Sequence, residues 1–210
     1  MAAKATKSLF ITFEGIDGCG KTTQTIMTYR YLTVHGYDVK LLREPGSTRT
    51  AERIRNILLD KRLKIAPITE LLLYEAARAE ITAAEIAPFL GRGRVVLCDR
   101  FYDSTTAYQG YGRGLDIRMV RSLHRVAVGN LKPDLTFLLD VNLKTAFLRQ
   151  SGNRDRLESQ PKAFFGRVRK GFLEIARKER RRVKVIDASR SIEDVFSDIK
   201  KILSRRIEIL

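Results

Sequence analysis

The sequence predicts an α/β fold, a three-layer α/β/α sandwich with a parallel sheet of five strands. Short apolar runs alternate along the chain with longer stretches in which apolar residues recur at helical spacing. Most of the short runs are rich in Leu and β-branched residues and are apolar throughout, as strands buried on both faces of a parallel sheet are. Strands that alternate with helices imply right-handed crossovers, which place helices on both faces of the sheet.

The strand candidates are the apolar runs of the chain. Lysines precede the first run, but Glu14 ends it too early for the apolar region of a signal peptide, so it is interpreted as a buried strand. The predicted strands are residues 8–14, 38–43, 94–99, 134–141 and 182–187.

The helix candidates lie between these strands. The first begins at a glycine-rich turn and ends near His35, where Gly36 can terminate it. The longest covers residues 68–90, where ELLLYEAARAEITAAEIA keeps helical spacing up to Gly91. The others are predicted at residues 51–59, 117–128, 143–150, 163–180 and 192–206.

Length and composition indicate a globular protein. The 210 residues fit a single domain, residues 1–210, and 44% of them are hydrophobic. No stretch approaches the roughly 18 consecutive apolar residues of a membrane span, so a cytoplasmic location is expected. Cys19 and Cys98 are interpreted as free thiols, although a disulfide stays open, since some intracellular proteins of hyperthermophiles contain them.

The chain is strongly basic. It carries 40 Lys and Arg against 24 Asp and Glu, and the excess is concentrated in residues 141–210, with 19 basic and 9 acidic residues. Such a charge attracts anions, whether nucleic acid, a membrane surface or phosphorylated small molecules. The net charge alone does not identify which of these partners binds. Adaptation to high temperature through ion pairs is an alternative explanation for the high charge.

A glycine-rich motif predicts phosphate binding. Residues 15–22 match the pattern G-x-x-x-x-G-K-[ST] between a predicted strand and a predicted helix, which makes the fold one of the P-loop NTPase type. Backbone N–H groups of such a loop surround phosphates, Lys21 reaches the β- and γ-phosphates, and the Thr22 hydroxyl is a ligand for Mg²⁺. The predicted nucleotide-binding residues are Gly15, Ile16, Asp17, Gly18, Cys19, Gly20, Lys21 and Thr22, with ATP and Mg²⁺ as cofactors.

One residue inside this loop points beyond phosphate binding. A carboxylate at Asp17 is unfavourable beside bound phosphates unless Mg²⁺ or a group of the acceptor offsets it. An acceptor-side role is therefore predicted for Asp17.

Several segments together resemble one family. FEGIDGCGKTT at residues 13–23 resembles the P-loop of thymidylate kinases, which are P-loop nucleoside monophosphate kinases. Five further segments are similar to that family in the same order: REPGST at 43–48, LLLYEAAR at 71–78, DRFYDSTTAYQG at 99–110, PDLTFLLDV at 133–141 and NRDRLE at 153–158. The resemblance implies transfer of the γ-phosphoryl group of ATP to dTMP, giving dTDP. It also implies a homodimer, with no nucleic-acid or membrane partner.

The resemblance also implies an acceptor site. Tyr74 would stack on the base, and Arg78, one helical turn later, would donate to a pyrimidine carbonyl. Ser104 and Gln109 would hydrogen-bond the base edge, and Tyr108 would pack against the sugar. The implied acceptor-binding residues are Glu44, Tyr74, Arg78, Arg100, Ser104, Tyr108 and Gln109.

Arginines supply the remaining chemistry. Arg100 would bind the acceptor phosphate through two N–H groups, and Asp99 would order the shell of Mg²⁺. The P-loop lacks an arginine, so a short lid, about residues 149–160, would supply the cation for the transition state, through Arg154 or Arg156. Glu158 would help to hold the metal or the acceptor sugar. The predicted catalytic residues are Asp17, Lys21, Arg100, Arg154 and Arg156.

Two alternatives stay open. Ser47 stands where the family has a second glycine, Glu80 and Ile81 stand where Gln-His is more common, and Tyr74 stands where Phe is common. These departures leave room for a nucleoside monophosphate or deoxynucleoside kinase of broader base specificity. A P-loop switch or nucleic-acid-binding ATPase would also explain loop and charge, but the sequence has no N-K-x-D motif, and its basic residues 178–185 lead into a strand.

Overall fold

The computed structural model describes residues 8–150 and 155–206. At its centre is a parallel sheet whose strands lie in the order β2-β3-β1-β4-β5. Each strand begins one residue later than predicted, and the fourth also ends one residue earlier, so the predicted sheet is confirmed. The strands are β1 (Leu9–Glu14), β2 (Val39–Arg43), β3 (Val95–Asp99), β4 (Leu135–Asp140) and β5 (Val183–Asp187).

Helices cover both faces of this sheet. Those predicted from apolar periodicity are present, with ends that differ by up to three residues. In the described part of the chain the α-helices are α1 (Lys21–Val34), α2 (Arg49–Leu59), α3 (Pro67–Ile81), α4 (Ala87–Leu90), α5 (Tyr102–Thr105), α6 (Ile117–Val128), α7 (Leu143–Arg149), α8 (Lys162–Lys178) and α9 (Ile192–Leu203).

Two helical regions differ from the prediction. The region expected as one helix over residues 68–90 contains a π-helical turn, Thr82–Ile86, between α3 and α4. Pro88 follows this turn and has no N–H to donate, and such wide turns often interrupt a helix next to a proline. A second helical segment, α5 continued by the π-helical residues Thr106–Gly112, was not predicted at all.

The core lies on both faces of the sheet. Ile11 and Phe13 of β1 pack against α1, α8 and α9, whereas Phe10 points to the opposite face and packs with Ile81 and Val96. This alternation follows from the two-residue period of a strand. The three central strands, β1, β3 and β4, are buried on both faces and must be apolar on both sides, which explains their continuous apolar runs.

The turn after β2 requires two unusual backbone conformations. The Glu44–Pro45 peptide bond is cis, and Ser47 has a positive φ of 69°. The Ser47 N–H donates to a carboxylate oxygen of Glu52 at 2.8 Å, which stabilises the turn. This left-handed conformation favours glycine, which is the residue that the family pattern resembled by this segment has at the position of Ser47.

Candidate active site

The glycine-rich loop follows β1 and requires its glycines. Gly15, Gly18 and Gly20 have φ values of 140°, 81° and 93°. A Cβ on Gly18 would lie 2.2 Å from the carbonyl oxygen of Ala146. Any larger residue would therefore clash with this oxygen, in addition to being strained by the positive φ. The loop then leads directly into α1 at Lys21, as a phosphate-binding loop must.

Two side chains at the start of α1 lie where the motif predicts them. The buried Lys21 ammonium donates to the carbonyl of Ile16 at 2.9 Å and lies 3.9 Å from an Asp17 carboxylate oxygen. The Thr22 hydroxyl donates to Asp99 at 2.6 Å. Thr22 and Asp99 are thus paired at the carboxyl end of the sheet, as a Mg²⁺-binding hydroxyl and its partner carboxylate would be.

A cavity of about 640 Å³ opens beside this loop. Of the eight predicted nucleotide-binding residues, Asp17, Gly18, Gly20, Lys21 and Thr22 line it. The other three lie outside the lining and shape the loop from behind.

Cys19 is buried between the loop and the core. Its side chain is 2% exposed, its sulfur accepts from the Lys21 ammonium at 3.7 Å, and its N–H donates to the Ile16 carbonyl within the loop. Burial raises the pKa of the thiol above its ordinary value. The sulfur therefore lies against the lysine of the loop, and the expectation that bulky alkylation of Cys19 blocks nucleotide binding stays a prediction.

Arg100 occupies the centre of the site. It follows β3 with a positive φ of 73°, a strained conformation for a residue with a side chain. Its guanidinium donates to the carbonyl of Gly15 at 3.1 Å and to the Ser104 hydroxyl at 3.0 Å, and it forms an ion pair with Asp17. These contacts hold one cation between the P-loop and the segment that follows β3.

Beneath Arg100 lies a buried carboxyl group that sequence reasoning missed. Glu14 accepts hydrogen bonds from the Phe101 N–H at 2.7 Å and the Ser104 hydroxyl at 2.5 Å. Burial, together with the charge of Asp103, raises its pKa to about 8. Glu14 therefore holds the strained turn after β3 and, through Ser104, the orientation of Arg100. A carboxylate that ends an apolar strand at the binding edge was the available signal.

The second cavity lies on the other side of Arg100. It has a volume of about 140 Å³ and its walls come from the turn after β2, from α3 and from residues 100–109. All the predicted acceptor-binding residues line it: Glu44, Tyr74, Arg78, Arg100, Ser104, Tyr108 and Gln109. Neither Glu80 nor Ile81 does, so those two departures from the family pattern leave the lining unchanged.

Arg78 is anchored in a buried network. Its guanidinium, in a residue 1% exposed, donates to Glu44 at 2.8 Å, to Glu75 at 2.6 Å and to the Thr105 hydroxyl at 2.9 Å. Two carboxylates fix one guanidinium, so its remaining N–H groups are held in a defined direction at the cavity wall.

Asp17 links the two cavities. Its carboxylate accepts the Tyr108 hydroxyl at 2.7 Å in addition to the ion pair with Arg100. Burial opposes ionisation of Asp17, but Arg100 and Lys21 beside it outweigh burial and lower its pKa to about 2. Asp17 is therefore ionised, and it already has cationic partners without a bound nucleotide.

The lid arginines separate in the structure. Arg156 donates to the Leu58 carbonyl at 2.8 Å and forms an ion pair at 2.6 Å with Glu70, a buried residue that sequence reasoning missed. Glu70 also binds Arg113 at 3.0 Å and accepts from Gln109 at 2.8 Å. Arg156 lines neither cavity, so the predicted transition-state contact is absent from this arrangement. Arg154 lies outside the described residues.

The two cavities meet at shared walls. Five residues line both, and one of them, Arg55, was missed because nothing in its helical pattern distinguishes it from a surface arginine. Its guanidinium donates to the carbonyl of Pro45 at 2.9 Å. The shared residues are Asp17, Glu44, Arg55, Arg100 and Glu158. Two anionic substrates bound in these cavities would face each other across two arginines.

Comparison with known proteins agrees with this geometry. The family model described as thymidylate kinase matches residues 13–199. The chain belongs to the thymidylate kinase family. The thymidylate kinase of Chlorobium luteolum is 44% identical over 95% of this chain and 99% of its own length. That of Pelotomaculum thermopropionicum is 47% identical, with 93% and 92% covered.

A solved structure supports the same assignment. The crystal structure of thymidylate kinase from Ehrlichia chaffeensis superposes with a TM-score of 0.79 at 39% identity, and covers 94% of this chain and 99% of that one. Family membership makes this protein a phosphotransferase that acts on thymidylate, which confirms the predicted fold type, family and activity. Among the described residues no helix is long and apolar enough to cross a membrane.

Proposed function

We propose that the chain transfers the γ-phosphoryl group of ATP to dTMP across the junction of the two cavities. ATP would place its phosphates in the P-loop cavity, and dTMP would occupy the cavity bounded by Tyr74 and Arg78. The observation that carries this proposal is that Arg100, Arg55 and Asp17 line both cavities. Such walls bring the attacking oxygen of one phosphate close to the phosphorus of another, and positioning supplies most of the catalysis in phosphoryl transfer.

The residues have distinct roles in this proposal. Lys21 neutralises charge on the β- and γ-phosphates, and Arg100 binds the phosphate of dTMP with two N–H groups. A catalytic base is unnecessary because the acceptor phosphate is already an anion. Asp17 orients Arg100 and the Tyr108 hydroxyl, so that the Tyr108 ring closes the sugar side of the acceptor cavity.

The donor set at the P-loop fits Mg²⁺. The Thr22 hydroxyl and the Asp99 carboxylate are oxygen ligands of the kind that this ion prefers, and Glu158 lines both cavities. Within the described residues no group of three or more His, Cys, Asp or Glu could hold a metal alone, as expected for an ion that is bound largely by nucleotide phosphates and water. Bound there, Mg²⁺ would neutralise charge that develops on the phosphates.

The lid, residues 149–160, would complete the site. Since Arg156 is bound to Glu70, we propose Arg154 as the arginine that contacts the transferring phosphoryl group and Arg156 as the residue that fixes the lid on α2 and α3. Arg149 donates to the carbonyl of Ala188 at 2.7 Å and would fix the other end.

The test is an acceptor panel in a coupled assay of ADP release. Three proteins are assayed: wild type, Arg100→Ala, and Arg94→Ala as the matched control at the other end of β3. Each is tested with five acceptors: dTMP, dUMP, CMP, AMP and GMP. We expect the highest kcat/KM with dTMP. Arg100→Ala should lose at least about 30-fold, because truncating one partner of a buried, hydrogen-bonded charge pair costs roughly 2–5 kcal/mol and each ~1.4 kcal/mol is tenfold. The Kd for ATP should stay within about threefold.

Two results would contradict the proposal. A ranking with CMP or AMP above dTMP would favour the broader monophosphate kinase. Normal turnover of dTMP by Arg100→Ala would remove the acceptor-phosphate role.

We also propose a homodimer formed by α2, α3 and α6. The helix α3 packs against both α2 and α6, and these helices expose large apolar side chains: Ile57, Ile68, Leu72 and Val126. Leu72→Glu should convert a dimer into a monomer in sedimentation velocity, whereas Leu148→Glu on α7, a residue 77% exposed, should leave the dimer intact. A wild-type protein that sediments as a monomer would contradict this proposal.

The proposed setting is a single kinase domain in the cytoplasm. The described residues include two free cysteines, Cys19 and Cys98, both buried and each at the sheet's carboxyl side. Free thiols fit a reducing compartment.

A further inference from the structure

A third cleft lies apart from the two substrate cavities. Its volume is about 400 Å³, and it opens between α6, the loop 129–132 and the end of α8, near the amino ends of β4 and β5. No residue lines both this cleft and either substrate cavity. The volume is in the range of small-molecule sites.

The charge of the cleft is unbalanced. Four of its lining residues are cations: Arg121, Arg125, Lys132 and Lys178. Across residues 8–150 and 155–206, none of these four side chains forms an ion pair. Unpaired cations that converge on a concave surface concentrate the field there and attract anions.

The carboxylates of the cleft do not cancel this charge. Asp103 and Glu179 line it, but both bind the guanidinium of Arg182, at 2.6 Å and 2.9 Å. Arg182 is buried and so committed to them. These two carboxylates and one guanidinium keep a single net negative charge, so the four other cations leave the cleft positively charged overall.

The wall of the cleft is aromatic. The rings of Tyr102 and His124 stack with their centroids 5.3 Å apart and their planes 24° apart, and both residues line the cleft together with Val128 and Ile175. A cationic rim over an apolar and aromatic wall is suited to a compact molecule with a phosphate at one end.

We propose that this cleft binds a small phosphorylated molecule, with the phosphate on the four cations and its body against Tyr102. A single strand of nucleic acid fits less well, because it needs exposed aromatic side chains along a groove. The large apolar side chains exposed in the described part of the chain include no aromatic one.

The chain contains a built-in reporter for this site. It has two histidines, of which His124 lines the cleft and His35 lies at the end of α1. His124 bonds Glu75 through Nδ1 and Thr106 through Nε2, each at 2.8 Å. A ligand that contacts its ring or the stacked Tyr102 will therefore shift its signals.

The experiment is a pyrophosphate titration of histidine-¹⁵N-labelled protein at constant ionic strength, followed by NMR. We expect a saturable shift of His124 with His35 unchanged. Arg121→Ala/Arg125→Ala should weaken the Kd at least tenfold, and the control Arg30→Ala/Arg118→Ala, with the same change of charge outside the cleft, should not. Turnover of dTMP by both variants should stay at the wild-type level and serves as the test of folding.

Three results would overturn the proposal. An unchanged Kd in Arg121→Ala/Arg125→Ala would place the pyrophosphate in the P-loop instead. Equal shifts with matched sodium chloride would mean diffuse counterion binding. Tighter binding of an oligonucleotide than of pyrophosphate, lost in the same variant, would make the cleft a nucleic-acid site.

Discussion

Glu14→Gln tests whether a protonated carboxyl group lies beneath Arg100. Glu14 is fully buried, and burial raises its pKa to about 8 from an ordinary value of 4.5. Between these two values the folded state holds a proton that the unfolded state has released. The stability that this group contributes is thus fully present below pH 4.5 and is lost as the pH rises through 8.

The magnitude follows from linkage. One proton held only by the folded state changes the free energy of unfolding by about 1.4 kcal/mol per pH unit. From pH 5 to pH 7.5 wild type should therefore lose about 3 kcal/mol through Glu14. Glutamine has no such titration, and its amide can still accept from the Phe101 N–H and donate to the Ser104 oxygen. The free energy of unfolding of Glu14→Gln, relative to that of wild type, should therefore rise by about 3 kcal/mol between pH 5 and pH 7.5.

The assay is urea unfolding of both proteins by circular dichroism at pH 5, 6, 7 and 7.5, with the protein concentration held fixed. If the difference between their free energies of unfolding stays constant within about 0.5 kcal/mol, near the usual error of such values, Glu14 is not protonated in the folded protein. The account of its burial would then be wrong.

Two further predictions concern other buried groups. Glu70→Gln leaves two arginines without a carboxylate and should cost roughly 3–5 kcal/mol in urea unfolding. Asp60→Asn, which breaks the exposed pair with Arg62, should leave the free energy of unfolding nearly unchanged. Equal costs for the two variants would contradict this distinction. Cys19 and Cys98, both buried and with a raised pKa, should react with iodoacetamide at least about 10²-fold more slowly in native protein than in urea. Equally rapid alkylation of the native and the unfolded protein would contradict the burial of these thiols.

The sheet could be predicted from the sequence because a buried strand requires apolar residues at neighbouring positions of the chain. A strand buried on both faces must be apolar at successive positions, and the runs around Phe13, Leu97 and Phe137 meet that condition. The P-loop was equally visible, since Gly15, Gly18 and Gly20 are required by φ alone. The acceptor residues were predicted from the family resemblance instead, since Tyr74 and Arg78 lie on α3 and no local rule distinguishes them from other helical residues.

The unpredicted helix 102–112 has a tertiary cause. Its sequence, YDSTTAYQGYG, combines Thr, Ser and Gly, which are weak helix formers. It is helical because it is enclosed: the segment packs along α8, and a Cβ at Gly112 would lie 2.7 Å from the Phe164 ring. These contacts with α8, which is distant in sequence, override the weak helix propensity of the segment. A local sequence pattern cannot predict them.

Buried ion pairs were hidden for the same reason. Arg156 is separated from Glu70 by 86 positions, so an arginine in a basic segment could not be distinguished from one aimed at a phosphate. Glu70 itself lies in the first turn of α3, where an acidic residue is ordinary. Only the packing of the lid on α3 shows that these two charges belong together.

The register of the sheet supports the proposed position of phosphoryl transfer. Phe13 of β1 pairs with Asp99 of β3, and the Arg100 N–H donates to the Phe13 carbonyl at 3.0 Å. Adjacent strands lie about 4.8 Å apart, so the start of the P-loop and Arg100, the proposed ligand of the acceptor phosphate, leave the sheet side by side. A register slip of one residue would turn the Arg100 side chain to the other face of the sheet. Donor and acceptor phosphates can therefore meet because β3, rather than a more distant strand, is the neighbour of β1.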